Sequence, residues 1–363
     1  MAQPVSEHLL GLIRPEVRAQ RPYLVPGARK VPVKLNQNES PFDLPSDLKK
    51  ELLDTFFQIH FNRYPDEQPG RLIAALEERS GVQSGSVIVG NGSNELTYTL
   101  GMCFIHPGDR VVIPRPMFAL FESMIKLHGG VPVGVAPRSD LQFDVDGMIQ
   151  AIETHQPKLV ILATPNNPTG LAMPTKDILR IVKASKGFVV IDEAYHEFNS
   201  EPSAIELLKE YPNVLVLRTL SKAYGLAGLR LGYMIARPEI IAEIMKSRLP
   251  FMIDRLAEQV GLLLLRHYSV VDEGVRSMQK STLDLTQSLS DMPGVEVVPS
   301  QTNFLLFKTR FEPGDLLDKL ANEGTLVRNM SGYPELEGYL RVTSGTDEEN
   351  KAFLVALDGI LKS

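Results

Sequence analysis

The sequence is poor in cysteine, in excess positive charge and in long apolar runs, and each shortage removes a class of protein. Cys103 is the only cysteine among 363 residues, so no disulfide can form within the chain. Its setting, Leu100-Gly101-Met102-Cys103-Phe104-Ile105, suits a packed thiol better than a catalytic one and fits a reducing compartment. A formal net charge of −6 argues against nucleic acid as the main partner, so the lysines and arginines are read as local anion sites. No stretch approaches the ~18 uninterrupted apolar residues of a membrane span. The start, Met1-Ala2-Gln3-Pro4-Val5-Ser6-Glu7-His8, has neither a basic region nor an apolar one. The expectation is a cytoplasmic protein with neither a membrane nor a nucleic-acid partner.

With 43% hydrophobic and 23% charged residues, the composition is that of a soluble globular chain long enough for one large core and a smaller one. From Lys158 onward, four-residue apolar runs at 159–162, 188–191 and 214–217 alternate with helical patterns near 176–183 and 203–208. That alternation predicts a mostly parallel central sheet covered by helices on both faces, an α/β architecture. Earlier strands are expected at 87–89 and 110–113. Helices are expected at 7–13, from a Ser46 cap through Phe57, at 71–79 up to Gly81, and after Gly92. Residues 256–289 read as mostly helical, and strands near 295–298, 303–307, 326–328 and 339–342 with a C-terminal helix read as a small α+β domain. The expected organisation is an arm (1–40) packing with the small domain, a large domain (41–255) and the small domain (256–363).

Chemistry concentrates in Thr219-Leu220-Ser221-Lys222-Ala223-Tyr224-Gly225-Leu226-Ala227-Gly228-Leu229-Arg230-Leu231-Gly232-Tyr233. A lysine at the end of a buried strand is poorly solvated, loses proton affinity and can attack an aldehyde. Ser221 and Arg230, on a turn opened by three glycines, can hold a phosphate. An aldehyde and a phosphate on one small molecule describe pyridoxal 5′-phosphate. The turn Gly90-Asn91-Gly92-Ser93-Asn94-Glu95 feeds a helix N-terminus, a second wall for the phosphate, although a plain cap at Ser93 explains the same letters. Asp192, after four apolar residues, is an isolated buried charge unless a protonated ring nitrogen faces it.

These segments, with Arg21-Pro22-Tyr23 and Lys34-Leu35-Asn36-Gln37-Asn38-Glu39-Ser40-Pro41, resemble the fold-type I pyridoxal-phosphate-dependent aminotransferases, and within them the histidinol-phosphate aminotransferases. The resemblance implies that fold, a large domain with a mostly parallel sheet plus a smaller α+β domain. It assigns Lys222 as the lysine that binds the cofactor and moves the proton, and Asp192 as the partner of the ring nitrogen. Asn167 and Tyr195 are assigned to the ring oxygen, and Phe118, where many relatives carry tyrosine, to the ring face. Gly92, Ser93, Asn94, Ser221 and Arg230 are assigned to the phosphate. It further implies a homodimer in which Tyr64 reaches the neighbouring subunit's cofactor phosphate. The substrate group comprises Tyr23, Asn167, Arg328 and Arg341, and the expected site contains no metal.

Two guanidiniums suit a dianion, which favours L-histidinol phosphate as the substrate with glutamate and 2-oxoglutarate as the nitrogen pair. An aromatic aminotransferase and a threonine-phosphate decarboxylase would share the cofactor pocket. A ligand-sensing domain of a transcription regulator is disfavoured, because no basic helix-turn-helix pattern precedes the arm. Many relatives carry a bulkier aliphatic residue where Ser344 stands.

Overall fold

The computed structural model describes residues 5–22 and 30–363. Tyr23, expected at the substrate, lies outside the described residues. The strands in chain order are β1 (Val33–Lys34), β2 (Val87–Asn91), β3 (Arg110–Pro114), β4 (Val131–Val135), β5 (Leu159–Ala163), β6 (Phe188–Asp192), β7 (Val214–Thr219), β8 (Leu231–Ile235), β9 (Glu296–Val298), β10 (Phe304–Lys308), β11 (Thr325–Leu326), β12 (Arg328–Asn329) and β13 (Tyr339–Thr343).

Seven of them form one sheet in the order β2-β8-β7-β6-β5-β3-β4. Strands β4, β3, β5, β6 and β7 run parallel, and β8 is antiparallel to both its neighbours. Along β5, Val160 and Leu162 enter one apolar cluster while Leu159, Ile161 and Ala163 enter another. Side chains alternate across a strand, so this sheet is buried on both faces, which is why its strands are written as unbroken apolar runs.

The second sheet, β12-β13-β10-β9, is antiparallel. Its core gathers Leu305, Phe307, Val342, Phe353 and Leu357. Strand β1 pairs in parallel with β11, and Leu35 joins this smaller core, which leads residues 36–40 away from the small sheet toward the ends of the large one. A 23-residue helix, Tyr268–Ser290, connects the two units. Its Val271, Val275 and Met278 pack into the large core, whereas Leu285 and Leu289 pack into the small one. The change of core therefore falls inside one continuous helix.

Several local expectations need correction. Ser46 is the first helical residue of Ser46–Gln58 rather than its cap; Pro45 holds the cap position and no side chain caps there. The segment near 203–208 is a 3-10 helix, Ala204–Lys209, whose first N–H is taken by the Glu193 carboxylate. The run at 326–328 is split, with β11 pairing to β1 and β12 to β13. Among the described residues no helix is long and apolar enough to cross a membrane.

Candidate active site

Three loops leave the carboxyl ends of β5, β6 and β7, the edge of an α/β sheet where ligands collect. Ala163 is in register with Asp192, and Asp192 with Leu217. Asn167, Asp192 with Tyr195, and Ser221 with Lys222 thus rise from three adjacent strands. Burial lifts the Asp192 carboxyl to about 7, with neighbouring Glu193 adding to the effect and the Ala194 N–H, which donates to Asp192 Oδ1 at 3.0 Å, opposing it. Burial lowers the Lys222 amine to about 7; the guanidiniums of Arg341 and Arg230 push the same way and Glu39 opposes them. The amine donates to the Gln37 carbonyl at 2.9 Å. An amine at this pKa keeps a substantial neutral, nucleophilic fraction near neutral pH, where an ordinary lysine is almost wholly protonated.

A cluster of anion-binding groups lies beside it. The helix Gly92–Phe104 begins against β8: a Cβ on Gly232 would stand 2.2 Å from the Ser93 nitrogen, so only glycine permits this approach. Gly92 has φ of +75°, and a Cβ there would stand 2.6 Å from Arg230 Nη2. Arg230 itself adopts φ of +54°, an unfavourable conformation for a side-chain-bearing residue, and its Nη1 lies 3.4 Å from Ser221 Oγ. Helix N–H groups, a guanidinium and a hydroxyl thus converge, the chemistry of an anion site. Gly92, Ser93 and Asn94 form the first turn of that helix, as anticipated, and Ser93 is helical instead of being its cap.

Phe118 occupies the turn before the helix Ala119–Leu127 and is partly buried against the second core. Arg341, on β13, reaches from the small sheet to the large one: Nη1 donates to Asn167 Oδ1 at 2.5 Å and Nη2 to the Asn36 carbonyl at 3.1 Å. Its guanidinium stands 5.1 Å from the Phe304 ring centre. Arg328, on β12, is directly opposite Arg341 in the antiparallel register, so both side chains leave the same face of the small sheet. Tyr64 is elsewhere: it is 77% exposed and stacks on Phe251 with ring centres 4.8 Å apart. Within one chain it is not brought to Lys222.

The structure adds residues to which the sequence reading assigned no role. Buried Arg218 bonds Glu193 through Nε at 2.9 Å, and Ser203 Oγ donates to the same carboxylate at 2.8 Å. A charged residue ending the apolar run 214–217 and following Asp192-Glu193 was the available signal for this pair. Burial, with Arg218 next in effect, lowers His196 to about 4, so that imidazole is neutral and no acid at physiological pH. Ser344 is fully buried, 2.8 Å from Thr282 Oγ1 and 3.1 Å from the Asn303 carbonyl oxygen. A small hydroxyl there ties the end of β13 to the connecting helix.

The family model for class I and II aminotransferases matches residues 30–357. The histidinol-phosphate aminotransferase of Chlorobaculum tepidum is 42% identical over 346 residues, covering 95% of this chain and 99% of that protein. The crystal structure of histidinol-phosphate aminotransferase from Sinorhizobium meliloti in complex with pyridoxal-5′-phosphate superposes with a TM-score of 0.87 at 25% identity, covering 96% of this chain and 97% of that one. L-threonine-O-3-phosphate decarboxylase from Porphyromonas gingivalis superposes with a TM-score of 0.81 at 26% identity, covering 91% of this chain and 100% of that one.

Proposed function

The chain belongs to the class I and II aminotransferases, and from that premise we propose that it uses pyridoxal 5′-phosphate to exchange an amino group between glutamate or 2-oxoglutarate and L-histidinol phosphate or imidazole acetol phosphate. The residues present fit the cofactor. A cradle that a Cβ on Gly92 would fill suits its phosphate. A buried carboxylate lifted to about 7 suits its ring nitrogen, and an amine lowered to about 7 suits its aldehyde.

Bound there, the group supplies an electron sink for a carbanion at the substrate α-carbon. Lys222 is the attachment point and the base for the α-proton. Asp192 holds the ring nitrogen in its charged form, a charge-assisted contact of about 1.5–3 kcal/mol net. Asn167 and Tyr195 serve the ring oxygen, Phe118 the ring face, and Ser221, Arg230 and the first turn at Gly92, Ser93 and Asn94 the phosphate.

The phosphorylated substrate is supported by the register of Arg328 opposite Arg341. Like charges directly opposed across two strands are destabilising by themselves, and a dianion between them reverses the sign of that interaction. A substrate panel tests this. Losing two charge-assisted bonds of about 1.5–3 kcal/mol each predicts kcat/KM for L-histidinol lower than for L-histidinol phosphate by roughly 10²–10⁴. Arg328→Ala is expected to remove about 10- to 100-fold of that preference while leaving phenylalanine nearly unaffected. Equal rates with phenylalanine would contradict the assignment, and CO2 release from threonine phosphate without glutamate formation would favour the decarboxylase.

The reading includes a homodimer in the cytoplasm. Phe57 is 82% exposed, Phe61 71% and Leu249 71%, all apolar and, like Tyr64, unburied in the single chain. Large apolar side chains left exposed in this way favour an interface, and Tyr64, in the same stretch of chain as Phe57 and Phe61, is proposed to enter the partner's site. Mixing inactive Lys222→Ala with Tyr64→Ala chains is then expected to restore turnover toward about a quarter of the parent, since heterodimers regain one intact site of two. No gain on mixing would contradict shared sites.

A further inference from the structure

The strap Asn36-Gln37-Asn38 contacts the three reactive side chains in succession. The Asn36 carbonyl accepts from Arg341, the Gln37 carbonyl accepts from Lys222, and Asn38 Nδ2 donates to Tyr195 Oη at 2.9 Å. Asn38 is 1% exposed and adopts φ of +54°, a conformation that asparagine tolerates better than most residues. Its amide orientation follows from its neighbours. The Asn38 backbone N–H donates to Thr343 Oγ1 at 2.9 Å, so the Thr343 hydroxyl proton is left to donate to Asn38 Oδ1 at 3.2 Å. That bond turns Nδ2, a pure donor, toward the tyrosine. Asn303 Nδ2 donates to the Asn38 carbonyl at 3.3 Å and closes the strap against the small domain.

We propose that Asn38 is a positioning residue for the reaction: by donating to the Tyr195 oxygen, it keeps the tyrosine's own proton out of that contact and turned toward the ring oxygen of the cofactor. This rests on the active-site reading above and deepens it. A hydroxyl carries one proton, and an acceptor at Asn38 would claim it. The strap also links the anion-binding strand to the cofactor tyrosine, because Thr343, which fixes the amide, is two residues beyond Arg341. The charged groups around it are Lys222 after β7, Arg341 on β13, Asp192 at the end of β6, and the ion pair of Lys34 with Glu39 at 2.7 Å, spanning the strap's own ends.

The test is the pH titration of the visible absorption of the cofactor-loaded protein. A proton donated to the ring oxygen weakens the proton affinity of the nitrogen beside it, so losing that donor raises the midpoint. Tyr195→Phe is expected to raise it by about one unit, the equivalent of one modest hydrogen bond. Asn38→Asp, isosteric and tolerant of the same φ, diverts the tyrosine proton to its carboxylate and is expected to raise the midpoint by a similar amount. The double variant should then shift no further than Tyr195→Phe alone. Asn38→Gly, neutral and at ease at this φ, is expected to shift in the same direction by less.

Additive shifts in the double variant would mean that the new charge acts on its own, and would overturn the proposal. An unmoved midpoint in both Asn38 variants, with Tyr195→Phe shifted, would overturn it while leaving the active-site reading intact. An unmoved midpoint in Tyr195→Phe would overturn both.

Discussion

Lys222→Ala is expected to abolish turnover, by a factor of about 10⁴ or more, and to leave a protein whose cofactor washes out. Two functions disappear with one amine: the covalent attachment of the aldehyde, and the base within reach of the α-proton, each of which contributes orders of magnitude. The folded chain should persist, because removing a lysine whose amine is depressed to about 7 removes a desolvation cost. The sign can be checked by linkage. The folded-state pKa lies below the ordinary 10.5, so between about 7 and 10.5 the unfolded chain binds more protons and stability rises with pH through that window. In cofactor-free protein the variant should lose this rise, which thermal denaturation at about pH 7 and about pH 9 would register.

Asp192→Asn is expected to lose about 10²–10³ of kcat while still binding cofactor, since a neutral amide cannot hold the ring nitrogen charged. The same change should stabilise the cofactor-free protein at neutral pH. Here the folded-state pKa is raised, from 3.8 to about 7. The folded chain therefore keeps a proton that the unfolded chain loses, and stability falls as pH rises across that interval. Asparagine removes the fall, so Tm at about pH 8 should exceed that of the parent by a few degrees, and the gap should close near pH 4. A carboxylate held at a cost to the empty protein fits a site organised for a charged ligand. Near-normal turnover would argue against that role.

How much could be read in advance follows from how local each signal is. The runs at 159–162, 188–191 and 214–217 are legible because a strand covered on both faces has no polar positions. Asp192 is legible for the converse reason, since a charge directly after such a run has nowhere solvated to go, and Lys222 because it stands on the glycine-rich turn that follows β7. Strand β4 was missed because Pro132 and Gly134 break its pattern, a licence that edge strands have and central ones lack. The helix Val145–His155 was missed as well; its Asp144 cap, which accepts from the Gly147 N–H, was the available signal. The reversed direction of β8 was not foreseen, since letters do not encode direction; the short return from Thr219 to Leu231 without a crossover helix was the clue.

Asn38 and Ser344 were opaque in another way. Asn38 meets Thr343, 305 positions away, and Ser344 meets Thr282, 62 positions away. Their letters acquire meaning only when two distant segments cross. Tyr64 is the remaining case, its proposed role resting on a second copy of the chain.

The account depends on one covalent site, and borohydride reduction of the cofactor-loaded protein addresses it directly. Peptide mass mapping should then find a single reduced pyridoxyl adduct, on Lys222, at about one per chain, with none formed in Lys222→Ala. An adduct on another lysine, or no adduct in protein that turns over L-histidinol phosphate, would contradict the assignment of this residue.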